Sequence, residues 1–173
     1  MITIPKSSSY QQEKGRVTMR KVVMVLMVLV VYAGFAFAGE KARDDRFIAY
    51  DDGTVVDTRT NLMWAAKDNE RNIDWGGAGY YCEKYRGGGY TDWRMPTSDE
   101  LAGLYDESKT YKSDCGADVH LTELIHLTCS SPWSSDRRDP KAGYFHFGGG
   151  VLAWEDQSCD PNRRRALPVR YGK

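Results

Sequence analysis

The stretch GGGYTDWRMPTSDEL, residues 87–101, combines the features of a helix stop, an aromatic core position and a helix start. Three consecutive glycines can end a helix, because glycine accepts the left-handed conformation of a C-terminal cap. After Pro96, Thr97 and Glu100 have the spacing of a capping box, in which each side chain satisfies a free backbone N–H. The stretch therefore predicts a crossover between two helices, with Trp93 as a core ring.

Asp92 and Arg94 flank Trp93, so in an extended segment their side chains leave the chain on the same side. A carboxylic acid beside an arginine could serve catalysis in a cleft. Alternatively, Asp92 accepts backbone N–H bonds and Arg94 braces a neighbouring loop. The sequence offers neither a nucleophile nor a base partner at a meaningful spacing, so we favour the second reading. The predicted structural residues are Asp92, Trp93, Arg94, Thr97 and Glu100.

The N-terminal segment has the pattern of a secretory signal peptide. Arg20 and Lys21 precede an unbroken apolar run over 22–38 that ends in Ala-Phe-Ala, as expected before a cleavage site. An uncleaved anchor is the alternative, because the run lies at the lower edge of the roughly 17–25 residues that span a bilayer. We predict a signal peptide over 1–38, with Met19 as an alternative start, and a periplasmic or secreted domain over 39–173.

The composition of 39–173 narrows the class of partner. This part carries 19 Lys and Arg against 23 Asp and Glu, a net charge of −4. A nucleic-acid binder would be basic, so nucleic acid is not expected as a partner. A membrane is expected as a partner only if the N-terminal segment stays uncleaved.

All four cysteines follow the apolar segment, and an even number in an oxidising compartment suggests disulfides, with three pairings open. Cys115 and Cys129 bracket a short segment and are the favoured pair. Cys82 with Cys159 would follow by elimination.

The pattern of strands and helices predicts an α+β domain. Short strands are expected over 47–50, 54–56 and 62–64, joined by turns at 51–54 and 57–61. Helices are expected after Asp74, after Pro96 and over 120–127, where Leu121, Leu124 and Ile125 would be the buried stripe. Further strands follow at 133–135, 143–147, 151–155 and 165–171, with a hairpin tip at 148–150.

Several segments together resemble the Lcl C-terminal-domain family of bacteria. They are DDGTVVDTRTNLMW, YCEKYRGGGYTDWRMPTSDEL, WSS at 133–135 and the late ALPVR, in this order. The resemblance spans roughly 46–171. It implies an exported bacterial domain, which in some members is the adhesive tip of a collagen-like surface protein that binds sulfated glycosaminoglycans. This chain departs from that arrangement because it has no Gly-x-y stalk.

A more distant resemblance connects RMPTSDE and the late PVR with the formylglycine-generating enzyme superfamily. That resemblance implies a C-type-lectin-like fold, with small antiparallel sheets, two or three short helices and long loops. Those enzymes use a late cysteine pair, whereas Cys159 is alone in the last forty residues. The activity is therefore not carried over.

The segment WEDQSCDPNRRR, residues 154–165, is the strongest exposed binding candidate. Its aromatic ring and oxygen atoms suit a glycan, and an acid-Pro-Asn stretch is similar to one that helps C-type lectins bind calcium and sugar. The three arginines could grip sulfate or carboxylate through forked donors, although a solvated charge run is the alternative. The predicted binding residues are Trp154, Glu155, Asp156, Asp160, Asn162, Arg163, Arg164 and Arg165.

No metal or other cofactor is predicted, and calcium has only the weak support of that segment. His120 and His126 are six residues apart, on different helix faces, and His146 lies in a strand, so their spacing does not favour a metal site. The leading hypothesis is a non-catalytic domain that binds an anionic glycan or another envelope partner. The alternatives are a structural envelope protein and an enzyme that uses Asp92 or a histidine.

Overall fold

Antiparallel hairpins form the first part of the computed structural model, which describes residues 38–157 and 163–172. Gly53 and Asn61 lie in the left-handed region at φ 79° and 54° and turn the chain between strands, so both predicted turns are confirmed. The first sheet has the order β1-β2-β3-β4-β11 and consists of β1 (Glu40–Asp44), β2 (Phe47–Tyr50), β3 (Thr54–Asp57), β4 (Leu62–Ala65) and β11 (Val169–Tyr171).

A second sheet forms from the later part of the chain in the order β10-β7-β8-β9. β8 pairs with β9 from His146–Val151 to Lys141–Asp156, which confirms the hairpin predicted around the glycines at 148–150. The strands are β7 (Ser131–Arg138), β8 (Lys141–His146), β9 (Val151–Asp156) and β10 (Arg164–Arg165), and a small separate hairpin is made of β5 (Tyr111–Lys112) and β6 (Asp118–Val119).

Two short helices begin where the capping residues predict. In α1 (Trp75–Lys84) the N-cap Asp74 accepts a hydrogen bond of 2.6 Å from the Gly77 N–H. In α2 (Ser98–Ala102) the Thr97 hydroxyl accepts from the Glu100 N–H and the Glu100 carboxylate accepts from the Thr97 N–H, which is the predicted capping box. The run Gly87–Gly89 does not cap α1 but forms a separate 3-10 turn after it.

The third predicted helix, over 120–127, is wrong. The segment consists of turns and a single bridge, because its backbone groups pair with another part of the chain. The His126 N–H donates to the Ala66 carbonyl at 2.8 Å, and the His126 carbonyl accepts from the Asp68 N–H. Leu121 and Ile125 are nevertheless fully buried, as the apolar stripe predicted, whereas Leu124 is partly buried.

The single closing strand predicted over 165–171 is divided in two. β10 pairs parallel with β7 in the second sheet, whereas β11 pairs antiparallel with β4 in the first sheet. Pro168 lies between them, outside both strands, and its carbonyl accepts from the Ala65 N–H. Proline has no N–H to donate to a neighbouring strand. The break between β10 and β11 therefore places Pro168 where no such hydrogen bond is required.

The core has two clusters built around tryptophan rings. The larger one packs Trp64 with apolar residues of both sheets and α2, and the smaller one packs Trp133 with Ala78, Cys82 and Ala166 under α1. Mostly antiparallel sheets with two short helices make the described chain α+β. Within residues 38–157 and 163–172, none of the helices has both the length and the hydropathy needed to cross a bilayer.

One of the two predicted disulfides is present. Cys115 and Cys129 are bonded, with their Cα atoms 5.5 Å apart. Cys82 is a free thiol on the buried face of α1, and Cys159, its predicted partner, lies outside the described residues. Burial raises the pKa of the Cys82 thiol to about 12, so it packs as a small apolar side chain.

We expect Trp93→Ala to reduce the free energy of unfolding by about 3–5 kcal/mol, as for other large buried rings. Trp93 is 3% exposed, its ring meets Tyr85 edge-on at 5.0 Å, and its Nε1 donates to the Gly87 carbonyl. Urea unfolding measures the change. Tyr80→Ala, at a ring that is 65% exposed, is the control and should change stability little; an equal loss in both variants would contradict the assignment of Trp93 to the core.

Candidate functional site

Asp92 joins residues 87–101, called the opening motif below, to the C-terminal strand β11. Its two carboxylate oxygens accept from Nε and Nη2 of Arg170 at 2.7 and 3.0 Å. The Arg170 side chain is buried and its guanidinium also lies 3.9 Å from the centre of the Tyr90 ring. Asp92 thus connects residues 87–101 to β11 through a guanidinium, and not through the backbone N–H groups that we expected.

Arg94 and Glu100 form a second forked pair within the same motif. Nη1 and Nη2 of Arg94 donate to the Glu100 carboxylate at 2.7 and 2.6 Å. Burial alone would raise the pKa of the Glu100 carboxyl, but hydrogen bonds from Arg94 and from Thr97 outweigh it and hold that pKa below its usual value. Glu100 is therefore an ionised partner of Arg94 at neutral pH and is not poised as a general acid.

Trp154, in the predicted binding segment, is partly exposed on β9 and carries an arginine on its ring. The Arg138 guanidinium lies 4.0 Å from the ring centre. Arg138 belongs to β7, directly opposite Lys141 of β8, and both side chains are exposed. This surface, consisting of Trp154, Arg138 and Lys141, is called the tryptophan–arginine surface below.

Arg164 does not point into solvent. Its guanidinium stacks 3.6 Å from the centre of the Tyr144 ring and pairs with the Glu155 carboxylate, and only 13% of its side chain is exposed. The Glu155 side chain is 36% exposed. These two predicted binding residues therefore hold each other between β9 and β10.

Arg165 is buried in a polar network. Its Nε donates to the Thr128 hydroxyl at 2.6 Å and its Nη1 to Asn72 at 2.6 Å, and Nε lies 3.8 Å from a carboxylate oxygen of Asp68. Burial raises the pKa of the Asp68 carboxyl, while N–H groups of Glu70 and Thr128 oppose the rise. The predicted exposed run of three arginines is thus corrected, because Arg165 points inward.

The remaining predicted binding residues have different placements. Arg163 is exposed with φ 66°, and its N–H donates to Asn72 at 3.2 Å. Asp156 is exposed at the end of β9. Asp160 and Asn162 lie outside the described residues, so the acid-Pro-Asn stretch has no structural description.

The three histidines have separate surroundings. His120 Nδ1 lies 2.9 Å from the Lys109 carbonyl, His126 Nε2 contacts the Asp114 carboxylate at 3.0 Å, and His146 is exposed at the end of β8. Across the part of the chain that is described, no three His, Cys, Asp or Glu side chains gather in a way that could hold a metal ion.

A cleft of about 540 Å³ lies between α1, the opening motif and β11. Its walls include two aromatic rings, two carboxylates and one guanidinium. The sequence analysis did not predict this cleft, because its residues come from four separate segments. Arg94 and Glu100 were singled out, but no local pattern shows that they meet residues of α1 and Tyr171. Among the lining residues are Trp75, Gly79, Glu83, Arg94, Glu100 and Tyr171.

A comparison with protein-family models matches more than half of the chain. The family model of the Lcl C-terminal domain matches residues 53–170. This match covers the opening motif, the second sheet and nearly all of β11. No curated protein and no solved structure matches the chain.

We expect Glu100→Gln to make the stability of the domain less sensitive to acid. A carboxyl whose pKa is lower in the folded state stabilises the fold above its unfolded pKa, roughly 4.3, and loses that contribution as pH falls through the folded pKa. Unfolding free energies between pH 7 and pH 3 should therefore fall less steeply in the variant than in the wild type.

Glu107→Gln is the matched control for this prediction, because it removes an exposed carboxylate from the same region. It should leave the pH dependence close to that of the wild type. If Glu100→Gln and Glu107→Gln gave the same curve, the Arg94–Glu100 pair would not contribute to acid sensitivity.

Proposed function

The chain belongs to the Lcl C-terminal domain family, and from that premise we propose that it is an exported, non-catalytic binding domain that recognises an anionic glycan. Export agrees with the N-terminal pattern and with the Cys115–Cys129 disulfide, since disulfides persist in oxidising compartments. The proposal includes a periplasmic or secreted location. It also includes a C-type-lectin-like fold, supported by the two mostly antiparallel sheets and by the RMPTSDE motif that opens α2.

The observation that carries the proposal is the Arg138 guanidinium on the Trp154 ring, 4.0 Å from its centre. A stacked guanidinium is held in place by the ring, while its in-plane N–H donors remain directed away from the stack. Such donors match the paired oxygens of a sulfate or carboxylate group. The adjacent ring offers an apolar face to the sugar that bears the group.

Exposure decides which arginines take part. Arg138 and Arg163 are exposed, and Lys141 lies opposite Arg138. Arg164 and Arg165 are engaged with Glu155 and with the Asp68–Thr128 network, so their role is to hold the segment in place. The proposed contact residues are therefore Trp154, Arg138 and Lys141, whereas Arg163 lies beside Asn72 near the other end of β7.

A binding role agrees with the state of the acidic groups in the opening motif. Asp92 and Glu100 are each held by a forked arginine. An acid or base in catalysis needs a pKa near the working pH, whereas the pKa of Glu100 is lowered. If the protein were an enzyme, a group other than Glu100 would have to act as its general acid or base.

The test is binding of the purified, oxidised protein to heparin, with dextran as the uncharged comparison. We expect heparin binding that weakens with salt, because exposed charges are screened within about 10 Å at 0.1 M. Arg138→Ser should weaken binding about tenfold or more, since a hydrogen bond to a charged group contributes roughly 1.5–3 kcal/mol. Trp154→Ala should also weaken binding, because it removes the ring that holds the Arg138 guanidinium.

Arg43→Ser is the control, because it removes an exposed positive charge from β1 in the other sheet. It should leave heparin binding close to that of the wild type. Equal loss in Arg43→Ser would indicate non-specific charge attraction, and absence of heparin binding would contradict the proposal and favour a scaffold protein. Loss of binding on adding a chelator would instead assign the contact to the acid-Pro-Asn stretch.

A further inference from the structure

We propose that the cleft between α1 and β11 is a second binding site, which takes an uncharged sugar residue. Its volume of about 540 Å³ is within the roughly 300–1,000 Å³ of small-molecule sites. The cleft is separate from the tryptophan–arginine surface, because none of Trp154, Arg138 and Lys141 lines it. The inference therefore does not depend on recognition of an anionic glycan.

The two rings of the cleft differ in how they are held: Trp75 by a hydrogen bond and Tyr171 by contact with a guanidinium. Trp75 Nε1 donates to the Ser134 carbonyl at 2.8 Å, so the indole cannot turn away without losing a bond. Tyr171 is 66% exposed, and the Arg94 guanidinium lies 5.0 Å from its ring centre. The face of a sugar ring carries C–H bonds of partial positive charge, which pack well on the negative face of an aromatic ring.

The charges in the cleft select against an anionic ligand. Glu100 neutralises Arg94 through two hydrogen bonds, and Glu83 adds a further carboxylate to the wall. The carboxylates accept from hydroxyl groups, and N–H donors of Arg94 bond to hydroxyl oxygens. An uncharged, hydroxyl-rich ligand uses all of these groups, whereas a sulfated one is repelled by the carboxylates.

Gly79 keeps the cleft open. A Cβ at this position would meet only the Met95 methyl group, at 3.9 Å. Glycine inside a helix is unfavourable compared with alanine, and packing does not require it at this position. Gly77 differs, since a Cβ there would lie 3.0 Å from Ile73 and from Asp74. The missing side chain at Gly79 thus leaves free space on the helix face that forms one wall.

Gly79→Leu provides a test that fills the cleft without removing any existing contact. Its matched control is Gly76→Leu in the same helix, where the residue is exposed and a Cβ would meet only Asp74, at 3.8 Å. Both changes favour the helix, so neither should lower the melting temperature. A second variant, Tyr171→Ala, removes one ring instead of adding a side chain.

The probes are maltotriose, cellotriose, mannotriose and the fully N-acetylated chitotriose, all uncharged, titrated into the full chain while the Trp75 indole N–H is followed by NMR. We expect at least one of them to shift that signal, with affinity at least tenfold weaker in Gly79→Leu and in Tyr171→Ala but unchanged in Gly76→Leu. Heparin binding should be the same in all four proteins.

Three results would overturn the inference. They are no shift with any neutral trisaccharide, a shift that persists in Gly79→Leu, and loss of heparin binding in Gly79→Leu. The last would show that the cleft takes the anionic ligand. Failure of the anionic-glycan proposal is detected separately, because it is read from heparin binding of the Arg138→Ser protein.

Discussion

The bridge between Arg94 and Val169 is the constraint on which both sheets and the cleft depend. The Arg94 N–H donates to the Val169 carbonyl at 2.9 Å, and the Val169 N–H donates back at 3.0 Å. These bonds fix the middle of the opening motif against β11. Because side chains alternate along an extended chain, the same register sends Trp93 into the core and leaves Asp92 and Arg94 on the other side, where each meets its forked partner.

The buried guanidinium of Arg170 restricts where β11 can lie. Taking the Arg170 charge out of water is costly unless it is paired and its donors are satisfied. Asp92, the Tyr90 ring and the Met63 sulfur all contact that guanidinium. A shift of β11 would leave a buried positive charge with fewer partners, so the pair specifies the position of the last strand as well as stabilising it.

Short sequence patterns correctly predicted the turns and helix starts that depend only on neighbouring residues. The Asp52-Gly53 turn, the Asp74 cap and the Thr97–Glu100 capping box each depend on residues within a few positions, and all three are present. The segment 120–127 failed because its backbone bonds go to Ala66 and Asp68, which no helical period can reveal. β1 was missed because its sequence, EKARD, has little apolar alternation and depends on pairing with β2.

The difference between contacts with sequence neighbours and contacts with distant residues also explains how far the sequence could predict the candidate sites. Arg163, Arg164 and Arg165 are identical in residue type, yet one is exposed, one stacks on Tyr144 and one lies in the Asp68 network. Their partners come from distant parts of the chain, so composition alone could not separate a binding arginine from a structural one. Arg137 and Arg138 were not among the predicted binding residues, although each lies on a tryptophan ring.

Those two neighbouring arginines also explain how one hairpin could serve two sites. Consecutive residues of a strand point to opposite faces, and Arg137 contacts Trp75 while Arg138 contacts Trp154, at 6.0 and 4.0 Å. Arg137 is further paired with Asp139, so the side near the cleft carries a neutralised guanidinium. A surface for anionic groups and a cleft for uncharged sugar can therefore lie on either side of β7, each with its own tryptophan.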